Sequence, residues 1–357
     1  MPNLAQIEHN PPSYERGIGL YVHIPFCQTK CPYCDFNTYE RIEDQIPNYV
    51  DALMNEIKAW SDLLSRPPVR TIFLGGGTPS YLPIDDIDQI LSTIHSSYKV
   101  DESAEITLEC NPGDVTLERA SGWIGANINR VSMGVQSFND GLLALLGRRH
   151  TANEAKRAFR TLRKAGFRNQ SLDLIYGLPH QSAEQWSDTL DEAIALGSDH
   201  ISLYSLQIEE GTPLAGDVKK GRYPIPDDDL AADMYEEAQS RLATNGFVQY
   251  EISNWSKPGM ESQHNVIYWL NEPYLGVGAG AHSWLKGQRF SNLKSPPRYM
   301  TAVHKNYEKI RQDPIATMRT PFGPVEQVGP TTAAIDIGET MMMGMRLNAG
   351  VSHKRFE

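Results

Sequence analysis

Cysteine is scarce here, with four in 357 residues. So few exclude a disulfide framework and suit a reducing compartment, so the chain is expected in the cytoplasm. No run of about 18 apolar residues occurs, so no helical membrane span is expected, while peripheral membrane contact stays open. Positive charge is not in excess either. The formal net charge is -11, and no basic stripe offsets it, which excludes nucleic acid as the main partner. The opening stretch lacks a basic segment followed by an apolar one. It reads as a loose, polar, Pro-rich tail over residues 1–17 rather than a signal peptide. Internal repeats and low-complexity tracts are missing as well. Hydrophobic content of 40% and charged content of 22% are those of a globular protein with a sizeable core.

Against that scarcity, three of the four cysteines fall within eight residues: Cys27, Cys31 and Cys34. Three crowded cysteines cannot pair among themselves. A structural zinc site wants four closed ligands, and the remaining Cys110 stands alone. Three thiolates instead suit a [4Fe–4S] cluster with one iron left open for another ligand. Cys110 is expected to pack as a small apolar residue.

Along the chain, short apolar runs alternate with helical spacing. Strands are expected at 17–24, 71–74, 105–109, 129–135, 171–175 and 200–204. Helices are expected at about 45–65, 84–97, 152–166 and 182–196. Such alternation demands parallel strands joined by right-handed crossovers. Six units give an α/β fold, an open partial TIM barrel, over 18–215. Functional residues in barrels sit where strands end. The cysteines follow the first strand, Gly75, Gly76 and Gly77 the second, and Glu109 ends the third. The pattern changes over 216–332, which reads as a C-terminal extension. Residues 333–357 read as the start of a small helical domain that looks incomplete.

Gly75-Gly-Gly-Thr-Pro79 alone reads as a tight turn. One strand after a cysteine triad, it reads better as a ligand site, because glycines admit close backbone approach and their amides can donate. A ligand with an amine and a carboxylate could chelate the open iron, as S-adenosylmethionine does.

The cysteine loop, the glycine run and the six-unit barrel resemble the radical S-adenosylmethionine superfamily. Tyr21-Val-His-Ile-Pro-Phe-Cys27, Glu109-Cys-Asn-Pro-Gly113, Gly134-Val-Gln-Ser-Phe138, Asp173-Leu-Ile-Tyr-Gly-Leu-Pro179 and Gly278-Ala-Gly-Ala-His-Ser283 resemble, more narrowly, the oxygen-independent coproporphyrinogen III oxidase family. That oxidase has a further cysteine where this chain has Phe36. Cys31-Pro-Tyr-Cys-Asp-Phe36 and His264-Asn-Val-Ile-Tyr-Trp269 resemble instead the heme chaperone branch, HemW.

The resemblance implies a protein that binds heme and passes it to an acceptor protein. It also implies a [4Fe–4S] cluster on Cys27, Cys31 and Cys34, with S-adenosylmethionine at the open iron. Cofactor contacts carry over to Tyr21, Tyr33, Gly76, Gly77, Thr78, Glu109, Gln136, Arg148, Asp173 and His282. For heme, His264 is the implied ligand, Tyr268 and Trp269 offer flat apolar faces, and His282 is the runner-up. His23 reads as structural or as a neighbour of the cluster. No catalytic residue is assigned, and a homodimer stays open. The alternative function is oxidative decarboxylation of coproporphyrinogen III, or a related radical reaction on a tetrapyrrole. A radical methyltransferase is a third, weaker reading.

Overall fold

The computed structural model describes residues 16–285, 287–312, 324–330 and 332–353. The tail over 1–15 and the last four residues therefore lie outside the described residues. Six parallel strands come first: β1 (Ile18–Ile24), β2 (Pro68–Gly76), β3 (Lys99–Cys110), β4 (Arg130–Gln136), β5 (Asn169–Tyr176) and β6 (His200–Ser205). They pair in chain order, each parallel to the next. Six of the seven residues of β1 are buried, as befits a strand covered on both faces.

The crossovers are α1 (Ile46–Leu63), α2 (Ile84–Ser97), α3 (Leu117–Gly125), then α4 (Asp140–Leu145) with α5 (Ala152–Ala165), and α6 (Ala183–Ala195). Local sequence sets their ends. Thr151 and Glu154 form a capping box on α5, and Ser182 and Gln185 form one on α6. Each box satisfies backbone donors that a helix start leaves unpaired. On α5, Ala155, Phe159 and Leu162 then face the core at helical spacing.

The extension builds no second sheet. After α7 (Pro213–Lys219) and α8 (Asp228–Thr244), β7 (Val248–Glu251) and β8 (Asn254–Ser256) add antiparallel to the β6 edge. Next come α9 (Gln263–Trp269), β9 (Tyr274–Val277), β10 (His282–Leu285), β11 (Gln288–Asn292), α10 (Pro296–Gln312), β12 (Val325–Pro330) and α11 (Ala333–Gly344). β9 pairs parallel to β1 on the opposite edge, and β10 to β12 follow antiparallel. The result is one open sheet of twelve strands among the described residues, from β12 to β7.

One buried carboxylate joins the extension to the barrel. Glu56 of α1 is 1% exposed and accepts from Gly278 N at 2.8 Å, Asn292 Nδ2 at 2.7 Å and Tyr299 OH at 2.6 Å. Those donors come from the turn after β9, from β11 and from α10. Beside them, Tyr49 OH donates to His23 O and accepts from Ala279 N, each at 2.8 Å. Removing the carboxylate leaves the buried Gly278 amide and Tyr299 hydroxyl without an acceptor, and leaves Asn292 Nδ2 only Gly278 O at 2.9 Å. Glu56→Ala should lower stability by about 3 kcal/mol. A urea denaturation curve with an unchanged midpoint would contradict this.

Candidate functional site

Two adjoining cavities open at the C-terminal ends of the parallel strands. The first, about 410 Å³, is lined by the three clustered cysteines and by Gly76, Glu109 and Asp173 among others. Their loop leaves β1 and is pinned at its base, where Cys27 N donates to Tyr39 O at 2.9 Å and Tyr39 N to Pro25 O at 2.8 Å. Lys30 Nζ closes it by donating to Phe36 O at 3.1 Å and Thr38 O at 3.2 Å. All four cysteines are free thiols.

The donor chemistry suits a cluster. Thr78 Oγ1 donates to Cys27 Sγ, and Arg148 Nη1 to Cys31 Sγ, both at 3.4 Å. Hydrogen bonds onto the sulfurs are how a protein tunes such a cluster. Burial pushes the Cys27 and Cys34 thiols up, so they need a cation to ionise, as iron supplies. Cys110 is buried, lines the same cavity, and donates through Sγ to Asn111 O at 3.3 Å.

The glycine run does something other than the sequence suggests. Gly76 N donates to Glu109 Oε2 at 3.0 Å, Gly77 N to Ile24 O at 2.7 Å, and Thr78 N to Phe26 O at 2.9 Å. These amides are committed within the chain, so the segment lines the cavity without offering them to a ligand. Glycine is required because the chain presses on itself. A Cβ on Gly77 would meet Phe26 O at 2.7 Å and Ile24 O at 2.8 Å. Gly76 has a φ of +113°, and a Cβ there would strike the His23 ring.

Glu109 and Asp173 place two carboxyls in this cavity. Burial, and secondarily Asp173, pushes Glu109 up to about 7, while the Gly76 amide and Arg130 pull it back. Burial also raises Asp173, against its bonds from Ser132 Oγ at 3.0 and 3.1 Å. Arg148 turns its other terminal nitrogen to Gly134 O at 2.6 Å. Tyr33 and Gln136 line the same space, Gln136 with a φ of +70° that a glutamine rarely adopts.

The second cavity, about 610 Å³, shares Phe36, Gly76 and Glu109 with the first. Tyr21, Tyr268, Trp269 and His282 line it, so Tyr21 and His282 stand apart from the other expected cofactor contacts. His264 does not line it. The ring is 1% exposed, with Nδ1 on Thr71 Oγ1 at 2.7 Å and Nε2 on Tyr268 OH at 2.8 Å. Burial, and then Arg130, pushes it down to about 3. His23 is also engaged, by Tyr21 OH at 2.9 Å and Asn37 O at 3.0 Å. His282 is exposed, and partial burial and Lys294 lower its pKa. Tyr274, Arg289 and Lys294 also line this cavity, and sequence reasoning missed all three. They belong to β9, β11 and the segment after it, whose short strands give little periodicity to read.

Gly77→Ala should lower iron content and brown colour after anaerobic reconstitution, because the new Cβ displaces the base of the cysteine loop. Parent-level iron in that variant would contradict the packing described.

The radical SAM superfamily model matches residues 21–193. The heme chaperone HemW of Bacillus subtilis is 38% identical over 339 residues, 95% of this chain and 86% of its own length. That of Escherichia coli is 42% identical over 268 residues, covering 74% of this chain and 69% of its own. Among solved structures, the coproporphyrinogen III oxidase HemN of Escherichia coli has a TM-score of 0.78. That match spans 94% of this chain and 77% of the oxidase at 24% identity, a likeness of fold. The chain therefore belongs to the heme chaperone HemW family, within the radical S-adenosylmethionine superfamily.

Proposed function

We propose that this chain binds heme and hands it to an acceptor protein while carrying a [4Fe–4S] cluster on Cys27, Cys31 and Cys34. S-adenosylmethionine, when bound, supplies an amine and a carboxylate to the open iron. Gly76, Gly77 and Thr78 would wall its methionine end, with Glu109 facing the amine. Tyr33, Gln136, Arg148 and Asp173 would surround the remainder. One observation carries the reading: the cluster cavity adjoins a second, larger cavity walled by aromatic rings. Its volume lies in the range of small-molecule sites. Phe36 supports the chaperone over the oxidase, since it stands where the oxidase has a cysteine and is 65% exposed between the two cavities.

Within the second cavity, Tyr268 and Trp269 would offer flat faces to the porphyrin. His264 would act through Tyr268, whose hydroxyl it holds. We place the protein in the cytoplasm. Among the described residues, no helix is long and apolar enough to cross a membrane. Homodimerisation and peripheral membrane contact are compatible with this reading, and the heme acceptor is a separate protein.

Hemin added to the anaerobically reconstituted full chain should give a Soret band and then pass to apomyoglobin, used as a surrogate acceptor. Cys31→Ser should lose the brown chromophore, whereas Cys110→Ser should keep it. Decarboxylation of coproporphyrinogen III with consumption of S-adenosylmethionine would replace the chaperone reading by that of a radical enzyme.

A pH dependence follows from Glu109. Its carboxyl is neutral below about 7 and ionised above. Only the ionised form attracts the cofactor's amine fully, so apparent affinity should fall as pH drops through that value. Titration of the reduced cluster's paramagnetic spectrum with S-adenosylmethionine, at about pH 6 and about pH 8, measures this. Glu109→Gln should bind more weakly with a flatter profile. A parent profile that is flat across this window would remove Glu109 from the amine.

A further inference from the structure

We propose that His282 is the axial ligand of the heme iron in the second cavity, and that Lys294 receives a heme propionate there. This rests on the heme-chaperone reading and assigns the contacts within it.

Two histidines, His23 and His282, line this cavity and His264 stands behind Tyr268; their hydrogen bonds separate the three. An iron ligand needs a free lone pair on a ring nitrogen. His264 has none to give, because Thr71 and Tyr268 occupy both nitrogens and the ring is 1% exposed. Freeing it would break two buried hydrogen bonds and the stack on Phe73, whose ring centre lies 5.2 Å away. His23 is likewise bonded at both nitrogens, and its ring closes over Gly76. His282 opens β10, is exposed, and lines the cavity. Its imidazole has no hydrogen-bond partner among the described residues. Partial burial and Lys294 also favour the neutral ring, the form that binds iron.

The surroundings suit a porphyrin. A flat apolar macrocycle with two carboxylates needs aromatic walls and a cation at one edge. Tyr268, Trp269 and Tyr274 supply the walls. Of the two cations lining the cavity, Arg289 already pairs with Glu339 at 2.7 Å and Asn271 Oδ1 at 2.7 Å. Lys294 is exposed, and its ammonium has no ion-pair partner among the described residues. It lies close enough to His282 to depress its pKa. Ligand and cation therefore face the same end of the cavity. The turn bearing His282 is itself held by the Glu56 and Tyr49 hydrogen bonds, so this end is built on the barrel.

The test is hemin titration of the reconstituted full chain, followed by its absorption and paramagnetic spectra. The parent should show an imidazole-ligated heme. His282→Ala and His282→Gln should lose that signature, and added imidazole should restore it in His282→Ala. Lys294→Gln should weaken hemin binding about threefold, while hemin dimethyl ester, which has no free carboxylate, should bind parent and variant alike. If both His282 variants are folded by circular dichroism and give the parent heme spectrum, the assignment falls while the chaperone reading stands. If the parent binds no hemin, both fall. A charge-transfer band of phenolate type in the parent would assign the iron to a tyrosine of the cavity wall and overturn His282.

Discussion

Everything at the site depends on two hydrogen bonds between the ends of adjacent strands. Gly77 N reaches Ile24 O at 2.7 Å, and Thr78 N reaches Phe26 O at 2.9 Å. They lock the turn after β2 beneath the first residues of the cysteine loop. Only glycine fits at 77, because both carbonyls lie within van der Waals contact of where a Cβ would be. The same lock brings Thr78 Oγ1 to Cys27 Sγ and Gly76 N to the Glu109 carboxylate. The cysteines are thus fixed against a parallel sheet, and the rigid first cavity follows.

The extension adds the second cavity by continuing that sheet rather than by docking a separate body. β9 lies parallel to β1, and the turn after it is held by Glu56 from α1. Phe36, Gly76 and Glu109 belong to both cavities, so a ligand in either one would meet a wall common to the other. A chaperone that keeps a cluster would have its cargo and its cluster on opposite sides of that wall.

The barrel was legible in the sequence, since strands buried on both faces read as apolar runs, as in β1. The first five residues of β3 were not. Lys99, Asp101, Glu102 and Ser103 are exposed and polar, so the strand reads as starting near 105. The expected extension was visible only as a change of pattern. β8 has three residues, and β9 finds its partner some 250 residues earlier, which no local spacing can reveal. The cluster cysteines were plain from their spacing. The environment of His264 was not, because Thr71, which occupies Nδ1, stands 193 positions away. For the same reason the glycine amides looked available when their acceptors lie in β1, in the loop after it and in β3.

The most direct measurement is the fluorescence of zinc protoporphyrin bound to the full chain, compared with and without the cluster. A porphyrin in the second cavity stands one shared wall from the cluster, close enough for electron and energy transfer. The expected result is strong quenching in the reconstituted parent and bright emission in Cys31→Ser at equal occupancy. Equal emission from the two, with zinc protoporphyrin bound in both, would contradict the adjoining-cavity account.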